Sequence, residues 1–456
     1  MIEAFDYTLF MAMIAVLSVL YLILGYRASG PIEDHEDYLL SGRSLSTFTL
    51  TMTIVATQLG GGTLLGSAEE AYRSGWCVLL YPLGSCLGLL FLATGFGARM
   101  RAYRFSTVSE VFESIYKSLA LRKLSSILSM ISLFIILVAQ GIAARKFLHS
   151  LGCYSHWIYL GGWAVLIAYT VAGGLSAVVN TDIIQALFIL GACVLVLFLQ
   201  SGFENIELPA LSTSFDLGFM NPDVSWSSWL WMPFCFMLIE QDIGQRLFAA
   251  KNASAIRRAC LLSCLIMLSV TFIPICLGVF GKQLGLIAPA DSSILLTVVG
   301  HITSKIPSTI FACAILMAIM STADSLLCSI ISNLAFDFPL GKNCSQARKL
   351  FIAKMATLFT GIIAILSSYL FDNVLSVLIF SYELSVAILF VPVVAGFLDP
   401  KRAHKQEAWA SMLTSATIYG LGMFIEFPVG SVWIAMTSGL LSFLSVRLLK
   451  RQRIWG

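Results

Sequence analysis

The sequence predicts an all-α integral membrane protein of about thirteen transmembrane helices, folded as one bundle. Three observations carry this expectation. The 456 residues are 58% hydrophobic and only 12% charged, where a soluble domain carries about 25% charge. Apolar runs long enough to cross a bilayer recur along the whole chain. The stretches between them are too short for a kinase, a nucleotide-binding or a receptor module. The chain therefore reads as a single membrane domain, 1–456, with the lipid bilayer as its surroundings.

The runs fall at roughly 8–26, 46–68, 75–97, 124–149, 157–175, 181–201, 227–248, 259–281, 305–335, 350–370, 375–397, 407–425 and 430–448. The first has no basic stretch in front of it and no Ala-x-Ala cleavage site, and Arg27 follows it, so it reads as a retained helix rather than a cleaved signal. Lys and Arg alternate between connections. One set holds Arg27 and Arg43, the clusters Arg99 to Arg104, Lys117 to Lys123, Arg246 to Arg258, Lys342 to Lys349 and Lys401 to Lys405, and the C-terminal Arg447 to Arg453. The other set holds only Arg73, Arg145, Lys146, Lys282 and Lys305, and the segment 202–226 has neither Lys nor Arg. Positively charged loops stay in the cytoplasm. The N-terminus is then outside and the C-terminus cytoplasmic, which requires an odd number of crossings and agrees with thirteen. The location expected is a cell membrane, inner or plasma. The basic clusters read as topology determinants, with no nucleic-acid partner and no obligatory protein partner.

The same inventory excludes several functions. No phosphate-binding or dinucleotide fingerprint appears, so no ATP-driven engine and no organic cofactor is expected. An intramembrane enzyme would need a His/Asp metal set or a Ser/His or Ser/Lys dyad in the membrane. The five histidines, His35, His149, His156, His301 and His404, all sit near helix ends or in loops. The eleven cysteines, scattered without a CxxC pair or a Cys/His cluster, read as small apolar side chains. A passive channel would show rings of repeated filter residues, which are missing. Gradient-driven transport remains, with a transporter-like nutrient sensor as the alternative, although no signalling domain is present.

Two interruptions and one polar insertion carry the chemistry. The second run contains Gly60, Gly61 and Gly62 in mid-membrane. Glycine costs a helix about 1 kcal/mol relative to alanine. A broken helix frees carbonyls, tolerated at membrane depth only where they line a cavity or bind something. A close helix crossing is the other reading. The seventh run is interrupted by Pro233, and Glu240 and Asp242 close it near the cytoplasmic side. Discontinuous helices at matching positions in two halves point to inverted repeats, here about 46–201 and 227–397. The ninth run carries Ser321, Thr322, Asp324 and Ser325 among apolar residues. An ionisable residue there is a site by default, and a Ser/Thr packing seam is its plainer reading. Carbonyls near Ala56 and Leu59, with the Ser321 and Thr322 hydroxyls, would form a neutral oxygen cage suited to a monovalent cation such as Na⁺. Asp182 reads either as a functional acid or as the N-cap of the sixth helix.

Several motifs resemble the sodium:solute symporter family, which includes proline, pantothenate, sialic-acid and glucose or galactose symporters. They are Asp37-Tyr-Leu-Leu-Ser-Gly-Arg43, the glycine-rich second run ending in Ala71-Tyr-Arg-Ser-Gly-Trp76, Gly173-Gly-Leu-Ser-Ala-Val with Thr181-Asp-Ile-Ile-Gln185, Gln245-Arg-Leu-Phe-Ala-Ala-Lys-Asn252, and Met320-Ser-Thr-Ala-Asp-Ser-Leu326. The resemblance implies a LeuT-type five-plus-five inverted-repeat core with flanking helices, and Na⁺-coupled uptake by alternating access. It implies a sodium site at Ala56, Leu59, Ala318, Ser321 and Thr322. It places a small solute, such as an amino acid, a carboxylate or a vitamin-like molecule, near Gln58, Gly60 to Gly62, Phe234, Phe236, Glu240 and Tyr382. Phe236 is similar to an inner-gate aromatic of the family. Asp324 is expected to brace the sodium site. Asp182 matches a carboxylate that some sugar members use for a second cation. Proline symporters have Asp where this chain has Gln58, and the polar residues of sugar members in the seventh helix give way to Pro233 and apolar neighbours. Both departures lower those two readings, and a Na⁺/sugar symporter stays an alternative.

Overall fold

The structure, a computed structural model, describes residues 5–29, 35–198, 226–289, 292–338, 345–425 and 430–455. The segment 202–225 and Lys342, used above for topology, lie outside them. Among the described residues the chain is helical, with one isolated parallel bridge between Leu45 and Ala250 and no strand.

The helices follow in order: α1 (Tyr7–Ser29), α2 (His35–Leu40), α3 (Thr47–Gln58), α4 (Ser67–Ser74), α5 (Leu80–Phe91), α6 (Gly97–Ala102), α7 (Glu110–Ser114), α8 (Leu119–Ser150) and α9 (His156–Phe198). The second half holds α10 (Trp226–Met237), α11 (Gln241–Ala249), α12 (Ala253–Gln283), α13 (Ile294–Ile302), α14 (Lys305–Asp337), α15 (Gln346–Ser367), α16 (Val374–Leu398), α17 (Lys405–Leu421) and α18 (Ser431–Trp455). Several starts are set by side-chain caps. Ser46 accepts from the Thr49 N–H, Ser118 from Leu121 and Asn252 from Ala255, each satisfying an orphan donor of the first turn.

Nine segments among the described residues are long and apolar enough to cross a membrane, against thirteen expected. The difference has physical causes. The second and third runs join into one helical stretch, Gly62–Ala102, which turns at Gly75 with φ 77°. The fifth and sixth runs join as α9, whose 43 residues span roughly 65 Å at 1.5 Å each, twice the hydrocarbon thickness. A straight helix of that length has no place in one bilayer, and α9 breaks at Gly174, where φ is 55° and ψ −143°. A side chain at Gly174 would collide with the Tyr38 backbone carbonyl. The seventh run is split into α10 and α11, and α17 stops after 17 residues.

The centre of the bundle is α14. In its most apolar window 89% of residues are buried, against 17% for α1. It packs on α1, α3, α8, α9, α11 and α15. Large apolar side chains such as Trp157, Leu265 and Phe359 are exposed on the outside. That pattern suits a lipid-facing rim and would be an aggregation hazard in water. Ten of the cysteines lie in described residues, all free and most of them buried.

Candidate ion and solute site

The site is built where two broken helices meet the unbroken α14. Helix α3 ends at Gln58, and Leu59 leaves helical geometry with φ −88° and ψ 46°. The chain resumes through a wide π-type turn at Gly62–Gly66 before α4. The three glycines touch three different helices. A Cβ at Gly60 would stand 2.5 Å from the Thr322 Oγ1, one at Gly61 would strike Ala143 of α8, and one at Gly62 would strike Leu378 of α16. A single crossing seam would engage one face, so the triplet marks a true break. Gln140 of α8 holds it, its Oε1 accepting from the Gly61 N–H at 2.8 Å.

Ser321 and Thr322 of α14 face this break. The Ser321 Oγ lies 2.8 Å from the Ala56 carbonyl and 3.0 Å from the Ala318 carbonyl. The Thr322 Oγ1 lies 2.7 Å from the Thr57 carbonyl and 3.2 Å from that of Ala318. Each hydroxyl has one hydrogen to give and keeps lone pairs of its own. Lone pairs are left over on a buried, neutral cluster of hydroxyl and carbonyl oxygens. Such a donor set fits a hard monovalent cation.

Beneath it lies a buried charged network. Arg246 of α11 is fully buried. Its Nε donates to Thr53 Oγ1 at 2.9 Å, and its other nitrogens donate to the Asp242 carbonyl at 3.1 Å, Ser325 Oγ at 2.5 Å and Asp182 Oδ2 at 3.3 Å. Thr53 also donates to Asp182. Asp182 is therefore no N-cap: it stands inside α9, past the Gly174 break, as the partner of a buried guanidinium. Asp324 accepts from the Tyr169 hydroxyl at 2.5 Å and ties α14 to α9 beside the hydroxyl pair.

The second break falls at Leu238–Glu240, after Pro233 rather than at it. Pro233 lies inside α10, which continues past it to Met237. Glu240 opens α11 with φ −66° and ψ 131°. It sits in the protein's interior with 7% of its surface exposed. Gln58 Nε2 reaches Glu240 Oε2 at 3.3 Å, so the two breaks touch. An aromatic stack borders them. The Phe236 and Tyr382 rings are 4.3 Å apart at 24°, and the Tyr382 hydroxyl lies 3.1 Å from that of Tyr81.

The sodium:solute symporter family model matches residues 38–414. The chain belongs to the sodium:solute symporter family. A sodium/pantothenate symporter of Haemophilus influenzae is 25% identical over 92% of this chain and 91% of its own length. A high-affinity proline transporter of Bacillus subtilis is 26% identical over 87% and 88%, and a high-affinity choline transporter of Drosophila melanogaster is 25% identical over 87% and 68%. In fold, the chain is similar to a Na⁺-coupled sialic acid symporter solved in a substrate-bound outward-open state, with TM-score 0.78 at 18% identity, over 96% and 98% of the two chains. This symporter is thus a multi-pass, all-α membrane transporter and not an enzyme, with Na⁺ as its coupling ion.

Of the expected residues, Ala56, Ala318, Ser321 and Thr322 come together directly, and Leu59 stands at the break next to them. Gln58, Gly60, Gly61, Gly62, Phe236, Glu240 and Tyr382 gather around the two breaks. Phe234 does not: its ring meets Phe91 and Trp231 on another side of α10. Sequence reasoning missed Gln140, Tyr81, the Thr57 carbonyl and Arg246. Arg246, one of the basic residues of the cytoplasmic set, is instead buried in the bundle.

Proposed function

We propose that this chain takes up a small organic solute together with Na⁺ by alternating access, with Na⁺ held between α3 and α14. Its ligands are the carbonyls of Ala56, Leu59 and Ala318 and the hydroxyls of Ser321 and Thr322. The observation that carries the reading is the pairing of those two hydroxyls with carbonyls at the end of a helix broken in mid-membrane. A bound Na⁺ supplies the positive charge that this surplus of oxygen lone pairs lacks, and so draws the loose end of α3 against α14. Coupling between two such sites is typically about 1–3 kcal/mol. The solute lies next to the breaks, against Gln58, Gly60 to Gly62, Phe236, Glu240 and Tyr382.

The inverted repeats run over about 46–201 and 227–397 within one domain. The matching breaks at Leu59–Gly61 and Leu238–Glu240 support this, each in the first long segment of its half. The positive-inside pattern supports an outside N-terminus, a cytoplasmic C-terminus, thirteen crossings and a plasma or inner cell membrane. The chain works without an obligatory protein partner.

The test is Na⁺-dependent uptake in proteoliposomes. Losing one buried oxygen ligand costs about 1–1.5 kcal/mol, so Ser321→Ala and Thr322→Ala each raise the Na⁺ concentration for half-maximal uptake up to about tenfold, while the protein still reaches the membrane. Unchanged Na⁺ dependence in both variants would overturn the site.

A further inference from the structure

We propose that the transported solute carries a positively charged ammonium group, held by the Glu240 carboxylate against the faces of Phe236 and Tyr382. This deepens the symport reading and rests on it.

The first argument is charge. Asp182, Glu240, Asp242 and Asp324 are all buried, and among the described buried residues Arg246 is the one Lys or Arg. Its guanidinium is committed to Asp182, Ser325, Thr53 and the Asp242 carbonyl. The other acids have their own partners. Asp324 takes the Tyr169 hydroxyl, and the Asp242 carboxylate takes the Ile243 N–H at 2.6 Å. Among the described residues Glu240 pairs with no cation. Its carboxyl has the Gln58 amide at 3.3 Å and shares a hydrogen bond with the carboxyl of Asp242, so two buried acids stand side by side, and it makes no capping bond to α11. A buried carboxylate in a spanning bundle needs a charge partner. A solute that brings one completes the site.

The second argument is shape. The Glu240 N–H bonds to the Phe236 carbonyl at 2.8 Å, one helical turn back. The carboxylate and the Phe236 ring therefore sit on one side of the break. Phe236 stacks on Tyr382, and the Tyr382 and Tyr81 rings are near-parallel with centroids 6.4 Å apart. A carboxylate next to aromatic faces recognises ammonium groups, through the ion pair and the ring quadrupole together. An organic anion would find the opposite. Gln58, Gln140, Tyr81 and Tyr382 offer amides and hydroxyls but no positive charge, and Glu240 repels it. Quaternary amines, betaines and amino acids fit; solutes with a carboxylate and no ammonium do not.

The test uses the purified full chain with and without Na⁺, reading thermal stabilisation and radiolabelled uptake into proteoliposomes. The probes are choline, glycine betaine, proline and lysine as ammonium compounds, pantothenate as an anion and glucose as a neutral solute. At least one ammonium probe is expected to stabilise the protein and to be taken up in a Na⁺-dependent way, while pantothenate and glucose are not. Glu240→Gln is expected to weaken that probe at least tenfold, with Glu240→Asp falling between. Binding of pantothenate or glucose overturns the proposal, as does binding of none of the ammonium probes or wild-type affinity in Glu240→Gln. Equilibrium ²²Na⁺ binding separates the two levels. A chain that binds Na⁺ but prefers pantothenate sinks this inference alone, and a chain that binds no Na⁺ sinks the symport reading as well.

Discussion

Replacing Asp182 by Asn tests whether the charge network under the ion site is a structural clamp. Asn keeps the shape of the side chain and removes its charge. Arg246 would then be fully buried with three neutral acceptors left, namely Thr53, Ser325 and the Asp242 carbonyl. Breaking a buried pair from one side costs about 3–5 kcal/mol, because the remaining charge is uncompensated. The retained hydrogen bonds and the nearby Asp242 soften this, so the lower end, about 3 kcal/mol, is expected. Arg246→Gln should cost a similar amount by stranding Asp182, whose Oδ1 already has no hydrogen-bond partner. The double variant leaves two neutral amides and no stranded charge. It should therefore lose far less than the sum, with a coupling of at least about 1.5 kcal/mol in a double-mutant cycle. Equilibrium unfolding in mixed micelles reads all four proteins. Additivity within about 0.5 kcal/mol would refute the pairing. A double variant that folds well but has lost Na⁺ dependence would show the pair serving the ion site and not only the fold.

Two further outcomes follow from backbone contacts. Gly60→Ala puts a methyl 2.5 Å from the Thr322 Oγ1, whereas Gly66→Ala meets only Leu375 at an ordinary 3.6 Å; uptake should fall at least tenfold in the first and stay near wild type in the second. Gly174→Ala introduces a side chain at φ 55° and drives it into Tyr38. It should lower the yield of folded protein, measured by size-exclusion chromatography of the detergent extract, where Gly161→Ala, with open space around it, should not.

Much of the ion site was legible in the sequence because bilayers punish polar residues. Ser321 and Thr322 stand out in an apolar run, and three adjacent glycines stand out in a helix. The partner choices were harder to read. Nothing local to Arg246 separates it from the basic residues that follow in the next connection, since burial depends on where α11 is carried by the break before it. Gln140 is one amide in a long apolar helix, and only the position of Gly61 gives it a purpose. Pro233 points to a break at itself, although α10 runs on past it and the actual break follows Met237. The crossings were read from hydropathy, but the reversals at Gly75 and Gly174 depend on backbone dihedrals, which apolar windows do not record.

The glycine triplet has a practical consequence for anyone wishing to retune this transporter. Because Gly60, Gly61 and Gly62 are each pressed against a different helix, that part of the site is bare main chain and has no vacancy for a new side chain. Altered selectivity therefore has to be engineered from the side chains gathered at the second break, at Glu240 and Phe236 and at Tyr81 and Tyr382. Libraries confined to those positions would sample solute preference while leaving the coupling ion's seat untouched.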